Sequence, residues 1–229
     1  MSIQTSNSSG TTANGAPFRH LNGDGVRDYF AFFRLPRKLD LDLAQLEREF
    51  HQQSRKLHPD LFTQSSAEQQ EWSMEQSSRL NDAYRTLRDP IRRTQYLLRL
   101  EGLELEEQSE TATEQARASG QAKKQIVPED LLEEVFELNM QWEELRMNKK
   151  TGDSDPALVR ELEGQKVSLE QKQEALLEEL KSYWVEWDAL GDTSPLEARN
   201  RVTAKMADLL NRRSYIRNLV RDVNAALEN

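Results

Sequence analysis

Pro59 restricts the fold of this chain more than any other residue. It separates two stretches whose apolar residues recur at helical spacing, one over about residues 42–57 and the next ending near Arg88. Its ring fixes φ, removes a backbone donor and drives His58 out of the helical region, so the first helix must end there. A helical hairpin with a polar tip follows. On that tip His58 and Asp60 form an exposed donor and acceptor, free to contact another protein. The plainer alternative is an ordinary helix-breaking loop.

The flanking pattern supports the hairpin. Leu43, Leu46, Phe50 and Leu57 fall within about 60° of arc and predict the core face of the first helix. Arg48, His51, Gln52 and Arg55 lie opposite, on a basic and polar surface that leads to His58; a simple solvated face is the alternative. The second helix has Ser65 or Ser66 as N-cap and Glu68 in its first turn. Its inward stripe is Ser73, Ser77, Leu80, Tyr84 and Leu87, small near the turn and larger further down, which predicts close approach at the tip. Asp89-Pro90 ends it, and a short helix over 91–100 follows, with Tyr96, Leu97, Leu98 and Leu100 apolar. Upstream, Tyr29, Phe30, Phe32 and Phe33 mark a short aromatic helix that Leu35-Pro36 terminates.

Composition narrows the classes. The 229 residues are 36% apolar and 31% charged, with a mean hydropathy of -0.84, which predicts long helices with wide solvated faces. Zero cysteine excludes disulfides and thiolate metal sites and suits a reducing compartment. His20, His51 and His58 make no metal-ligand spacing, so neither a metal nor another cofactor is expected. The net charge of -9 argues against nonspecific nucleic-acid binding. No apolar run reaches membrane-span length and the N-terminus has no signal-peptide core; with Arg19 as its first basic residue, an Arg-rich presequence is not expected either. The expected location is the cytoplasm.

The second half reads as long helices. Pro128-Glu129-Asp130 starts one that runs to about Lys149 and carries two apolar stripes. Leu131, Val135, Leu138, Trp142 and Leu145 lie within about 40° of one direction and are read as core. Leu132, Phe136, Met140 and Met147 lie about 100° to 180° away, bordered by Glu133, Glu137 and Glu144. This second stripe either packs on the N-terminal half or inside a bundle, or it is a binding site for a partner protein. A helix over 156–190 carries Leu162, Leu169, Leu176 and Tyr183 at heptad spacing, with Leu158, Leu180 and Trp187. The last helix, over 196–227, does the same with Val202, Leu209, Ile216 and Val223, joined by Met206, Val220 and Leu227. Residues 129–190 hold seventeen acids against seven bases, and 191–229 five against seven, so a basic helix should lie against acidic ones. The expected architecture is all-α: residues 1–26 a disordered tail, 27–103 a helical hairpin domain, 104–127 a linker or extended loop, and 128–229 an antiparallel three-helix bundle.

The order of a short aromatic helix, a basic-faced helix, His58-Pro59-Asp60 and then LNDAYRTLRDPIRRTQYLL at 80–98 resembles the J-domain of DnaJ-type co-chaperones. Ala83-Tyr84, Leu87, Asp89-Pro90, Arg92 or Arg93 and Tyr96 match the end of its third helix. DYFxFFxLP at 28–36 and YLLRLEG at 96–102 are similar to the HscB-type co-chaperones of iron-sulfur cluster assembly, and neither a Gly/Phe-rich linker nor a cysteine-rich zinc module of general DnaJ proteins is present. The resemblance implies a co-chaperone that binds an IscU-like cluster scaffold, delivers it to an Hsp70-type chaperone (HscA- or DnaK-like) and stimulates the chaperone's ATPase. It implies that His58, Pro59 and Asp60 trigger the chaperone while Arg48, Arg55 and Lys56 attract it. It assigns scaffold binding to Leu132, Phe136, Glu137, Glu144 and Tyr215. Two residues depart from the family's pattern: Leu61 stands where Lys is frequent, and Met140 where a carboxylate is usual.

No catalysis by this chain is expected, because a hairpin tip offers neither pocket nor nucleophile and no phosphate-binding glycine loop exists. The competing readings are a J-domain adaptor for a different client and a helical scaffold protein with no chaperone role.

Overall fold

The computed structural model describes residues 28–103, 105, 128, 131–151, 155–191 and 194–228. The expected tail and nearly all of the expected linker lie outside these residues. Seven α-helices are described: α1 (Tyr29–Phe32), α2 (Leu43–Leu57), α3 (Ala67–Arg88), α4 (Pro90–Leu100), α5 (Leu132–Thr151), α6 (Pro156–Ala189) and α7 (Leu196–Glu228), with a 3-10 turn at Pro59–Phe62. No strand occurs among the described residues, and no described helix is long and apolar enough to cross a membrane.

Local chemistry sets the boundaries. Asp28 caps α1, Asp42 caps α2 by accepting from the Ala44 and Gln45 amides, and Asp155 caps α6 with Pro156 in its first turn. Ser66 rather than Ser65 caps α3, in a reciprocal capping box with Gln69. Asp89 ends α3 and caps α4, its carboxylate accepting from the Arg92 amide.

The 34-residue α6 and the antiparallel α7 form a hairpin about 50 Å long that serves as the spine. Its two ends are covered differently. Near the α6–α7 turn, Leu180, Trp184, Trp187, Val202, Met206, Leu209 and Leu210 join Phe30, Phe33, Leu39, Leu46, Leu80, Leu87, Leu97 and Leu98 in one continuous core. At the far end, Leu131, Leu138 and Leu145 of the α5 segment pack with Leu158, Leu162, Leu169, Tyr215, Ile216 and Val223. The three-helix bundle therefore occupies only one end of the spine, and α1–α4 cover the other.

Two expected core positions and one expected surface position differ. Leu43 is 47% exposed, because the α2 face turned to α3 is centred on Leu46, at 0%. Trp142 stands at the seam between α5 and α7 with 36% exposure, wide enough to keep one edge in solvent. Tyr215 is only 7% exposed, packed into the far core. It is therefore not an exposed member of a surface patch, since α7 turns it towards α5 and α6.

Candidate functional site

The tip is held by backbone chemistry. The last carbonyl of α2, that of Leu57, accepts from Ser73 Oγ at 2.7 Å and from Ser77 Oγ at 2.8 Å. These small polar residues of α3 draw the two helices together and satisfy an acceptor that the helix itself cannot. His58 leaves the helix at φ -60°, ψ 128°, as the following proline requires, and Pro59 opens the 3-10 turn. The Asp60 amide donates to His58 Nδ1 at 3.3 Å, and Asp60 Oδ2 lies 3.4 Å from the same nitrogen. Accepting the amide requires a neutral ring with its proton on Nε2, whereas a proton on Nδ1 would be shared with the carboxylate. The two side chains are 55% and 83% exposed.

The chain beyond the tip is tied back to α3. Gln70 Nε2 donates to the carbonyls of Thr63 and Ser65 at 3.2 and 3.0 Å, and the Phe62 ring meets Trp72 edge-on at 6.0 Å. Leu61, 64% exposed, presents an apolar side chain directly after Asp60. Arg48, His51, Gln52, Arg55 and Lys56 are exposed on α2, leading to the tip. Phe50 stacks on Tyr84 at 4.2 Å and Gln53 Nε2 donates to the Phe32 carbonyl, which fixes how α2 presents that face.

On α5 the two stripes have opposite fates. Leu131, Leu138 and Leu145 are 4 to 5% exposed, whereas Leu132, Phe136, Met140 and Met147 are 52, 66, 60 and 62% exposed. Glu133, Glu137 and Glu144 are exposed beside them. The alternative in which this stripe is buried on the N-terminal half or inside the bundle is thus excluded. Glu134 pairs with Lys172 and Gln141 Nε2 donates to Glu161 at 2.7 Å, pinning α5 to α6.

A polar joint fixes one region relative to the other. Asp188 of α6 accepts from the Leu39 and Asp40 amides at 2.8 Å each, about 150 residues away in sequence. Trp184 Nε1 donates to Thr94 Oγ1 at 3.0 Å, and the buried Arg93 guanidinium lies 4.9 Å over the Trp184 ring. Arg199 Nη2 donates to both Glu101 oxygens at 2.8 and 2.7 Å while its guanidinium sits over Trp187. Burial pushes the Asp188 carboxyl above its ordinary pKa, although its two amide bonds work in the other direction. Burial also lowers the pKa of Arg93, with Asp40, Asp89 and Asp188 opposing it.

Relatives in sequence and in structure point to one family. No family model matches the chain. The co-chaperone protein HscB homolog of Vibrio cholerae is 38% identical over 84 residues, 37% of this chain and 49% of that protein. That of Neisseria meningitidis is 32% identical over 128 residues, 56% of this chain and 66% of that one. The human iron-sulfur cluster co-chaperone protein HscB is 39% identical over 87 residues, 38% of this chain and 37% of that one. The chain belongs with the HscB-type co-chaperones. The chain spans about half the length of the first curated relatives it matches. The fold is shared over more of it: the Vibrio cholerae HscB structure superposes with a TM-score of 0.54 at 23% identity, covering 86% of this chain and 96% of that one. Human HscB gives a TM-score of 0.57 at 23% identity, covering 89% of this chain and 83% of that one.

In this HscB-type chain, α1–α4 form the J-domain and α5–α7 the C-terminal bundle. His58, Pro59 and Asp60 come together on the tip, with Arg48, Arg55 and Lys56 exposed on the adjoining helix. Leu132, Phe136, Glu137 and Glu144 share one exposed side of α5, whereas Tyr215 lies beneath it, lining a cavity of about 200 Å³ with Val135, Leu138 and Trp142. Burial raises the Tyr215 phenol above its ordinary pKa, and Asp222 adds to the shift. Sequence reasoning missed the joint. Asp188 and Thr94 are not singled out by any periodicity, Arg93 enters only as one of two arginines in the J-domain pattern, and no spacing signal links the three. Trp184, directly after the heptad residue Tyr183, was the one available hint.

Proposed function

We propose that this chain is a co-chaperone of iron-sulfur cluster assembly. It binds the cluster scaffold protein through α5, presents it to an Hsp70-type chaperone through the tip, and stimulates that chaperone's ATPase. The proposed division is a J-domain over 27–103 and a client domain over 128–229, working in the bacterial cytoplasm. The observation that carries this reading is the exposed His58-Pro59-Asp60 turn, held rigid by Ser73 and Ser77 at the end of a helix with a basic face.

The tip acts in trans. His58, Pro59 and Asp60 engage the chaperone, whose own active site performs hydrolysis, while Arg48, Arg55 and Lys56 raise the encounter rate, an effect that weakens with salt. On α5, Leu132 and Phe136 enter the scaffold, with Glu137 and Glu144 at the rim. Single-turnover ATP hydrolysis by the cognate chaperone tests the trigger: the wild-type chain accelerates it and His58→Gln does not. Equal stimulation by the variant would remove the J-domain role. Pull-down of the scaffold with and without Phe136→Ala tests the client; undiminished recovery would move that interface elsewhere.

A further inference from the structure

The 3-10 turn at the tip treats its two large apolar side chains differently. Phe62 is half-buried, and its ring meets Trp72 edge-on at 6.0 Å, so it anchors the turn on α3. Leu61 is 64% exposed and belongs to neither core. Its backbone is nevertheless fixed. The Leu61 amide donates to the His58 carbonyl at 3.0 Å, closing a four-residue turn that brings the α-carbons of the two residues within about 7 Å. Thr63 Oγ1 donates to the Asp60 carbonyl at 3.2 Å, and Gln70 holds the chain beyond it. An apolar side chain is thus kept beside His58 and Asp60 at a set position, with most of its surface in water.

Charge is arranged around it. From Leu57 to Ser78 the chain carries no lysine or arginine, whereas Arg48, Arg55 and Lys56 precede that stretch on α2. A turn this tight cannot offer His58 and Asp60 to a partner without also offering Leu61. A single exposed leucine is ordinary on a protein surface. One fixed inside a contact is not, because docking takes it out of water together with whatever faces it. A carboxylate facing it would be desolvated with no counter-charge at the tip, whereas an apolar lining would gain from the same burial. Resting on the reading of the tip as the chaperone trigger, we propose that Leu61 is a specificity-determining residue of that contact: it enters an uncharged, apolar recess of the chaperone next to the groups that receive His58 and Asp60. The leucine supplies affinity and disfavours a chaperone with an acidic group at that point, while His58, Pro59 and Asp60 carry the trigger.

Single-turnover ATP hydrolysis by the Hsp70-type chaperone that the wild-type chain stimulates tests this, titrated with the full chain carrying Leu61→Ala, Leu61→Lys or Leu61→Met. His58→Gln is run beside them to test the trigger itself. Leu61 is mostly in solvent, so its substitutions leave the fold in place. Leu61→Ala and Leu61→Lys are expected to raise the half-maximal concentration about tenfold or more at an unchanged maximal rate, and Leu61→Met to stay within about threefold of wild type. Tighter binding by Leu61→Lys would reveal an acidic receiving site, and a wild-type half-maximal concentration for Leu61→Ala or Leu61→Lys would mean that nothing apolar covers the residue. Either result overturns the proposal and leaves the trigger standing as long as His58→Gln is inactive. If His58→Gln stimulates as well as wild type, the trigger reading fails and the role of Leu61 falls with it.

Discussion

The tip and the exposed side of α5 are both surfaces suited to another protein, but they are built on different physics. The tip offers little apolar area; its content is position, set by Pro59, by the capped Leu57 carbonyl and by the ties from Gln70. The α5 face offers area and little fixed polar geometry, because its strip is what remains after the helix has buried Leu131, Leu138 and Leu145. Variants at the tip should therefore change how well the partner is triggered, and variants on α5 how tightly the client is held. Variants in the joint between them should change stability.

The largest effect belongs to the joint. Trp184→Ala removes a ring that is 6% exposed, its hydrogen bond to Thr94 and its contact with Arg93, and should cost about 3 to 5 kcal/mol in chemical denaturation. An unchanged midpoint would mean that the J-domain and the spine do not fold as one core. Next comes Phe136→Ala, expected to lose about 2 to 3 kcal/mol of scaffold binding while leaving the denaturation midpoint within about 0.5 kcal/mol of wild type. A large stability loss there would erase the contrast between the strip and the buried stripe of α5. Replacing Ser73 and Ser77 together by alanine leaves the Leu57 carbonyl unpaired and should cost about 1 to 2 kcal/mol. Chaperone stimulation should fall further than that stability loss explains; stimulation preserved in full would show that the tip does not need its clamp.

The smallest effect is a pH dependence. The folded-state pKa of Asp188 is raised above 3.8 by burial, so between the ordinary and the raised value the folded chain holds a proton that the unfolded chain has released. Its stabilising contribution is full below the ordinary value and is lost as pH rises through the folded one. Relative to Asp188→Asn, wild-type stability should decline across that window; a difference that rises with pH instead would show that the two amide bonds outweigh burial.

Much of this could be read along the chain. Helix ends follow from Pro59, Asp89-Pro90 and Pro156, residues whose effect is confined to their own neighbours. The small stripe of Ser73 and Ser77 announced a close approach, and their hydroxyls explain it. The division of α5 into two stripes was also visible, because each has its own helical phase. What periodicity left undecided was which partner each stripe finds: it placed Leu43 and Trp142 in the core, while the family resemblance set the buried Tyr215 with Phe136 on a surface patch.

Amino-acid order alone therefore settles the helices, their breaks and the chemistry of the tip, since these depend on dihedral restriction and contacts within about a turn. Tertiary packing settles the rest. It couples Asp188 to Leu39 and Asp40 and Trp184 to Thr94, making one core of the J-domain and the near end of the spine. It also leaves Phe136 in solvent, because two neighbouring helices can cover only one side of α5.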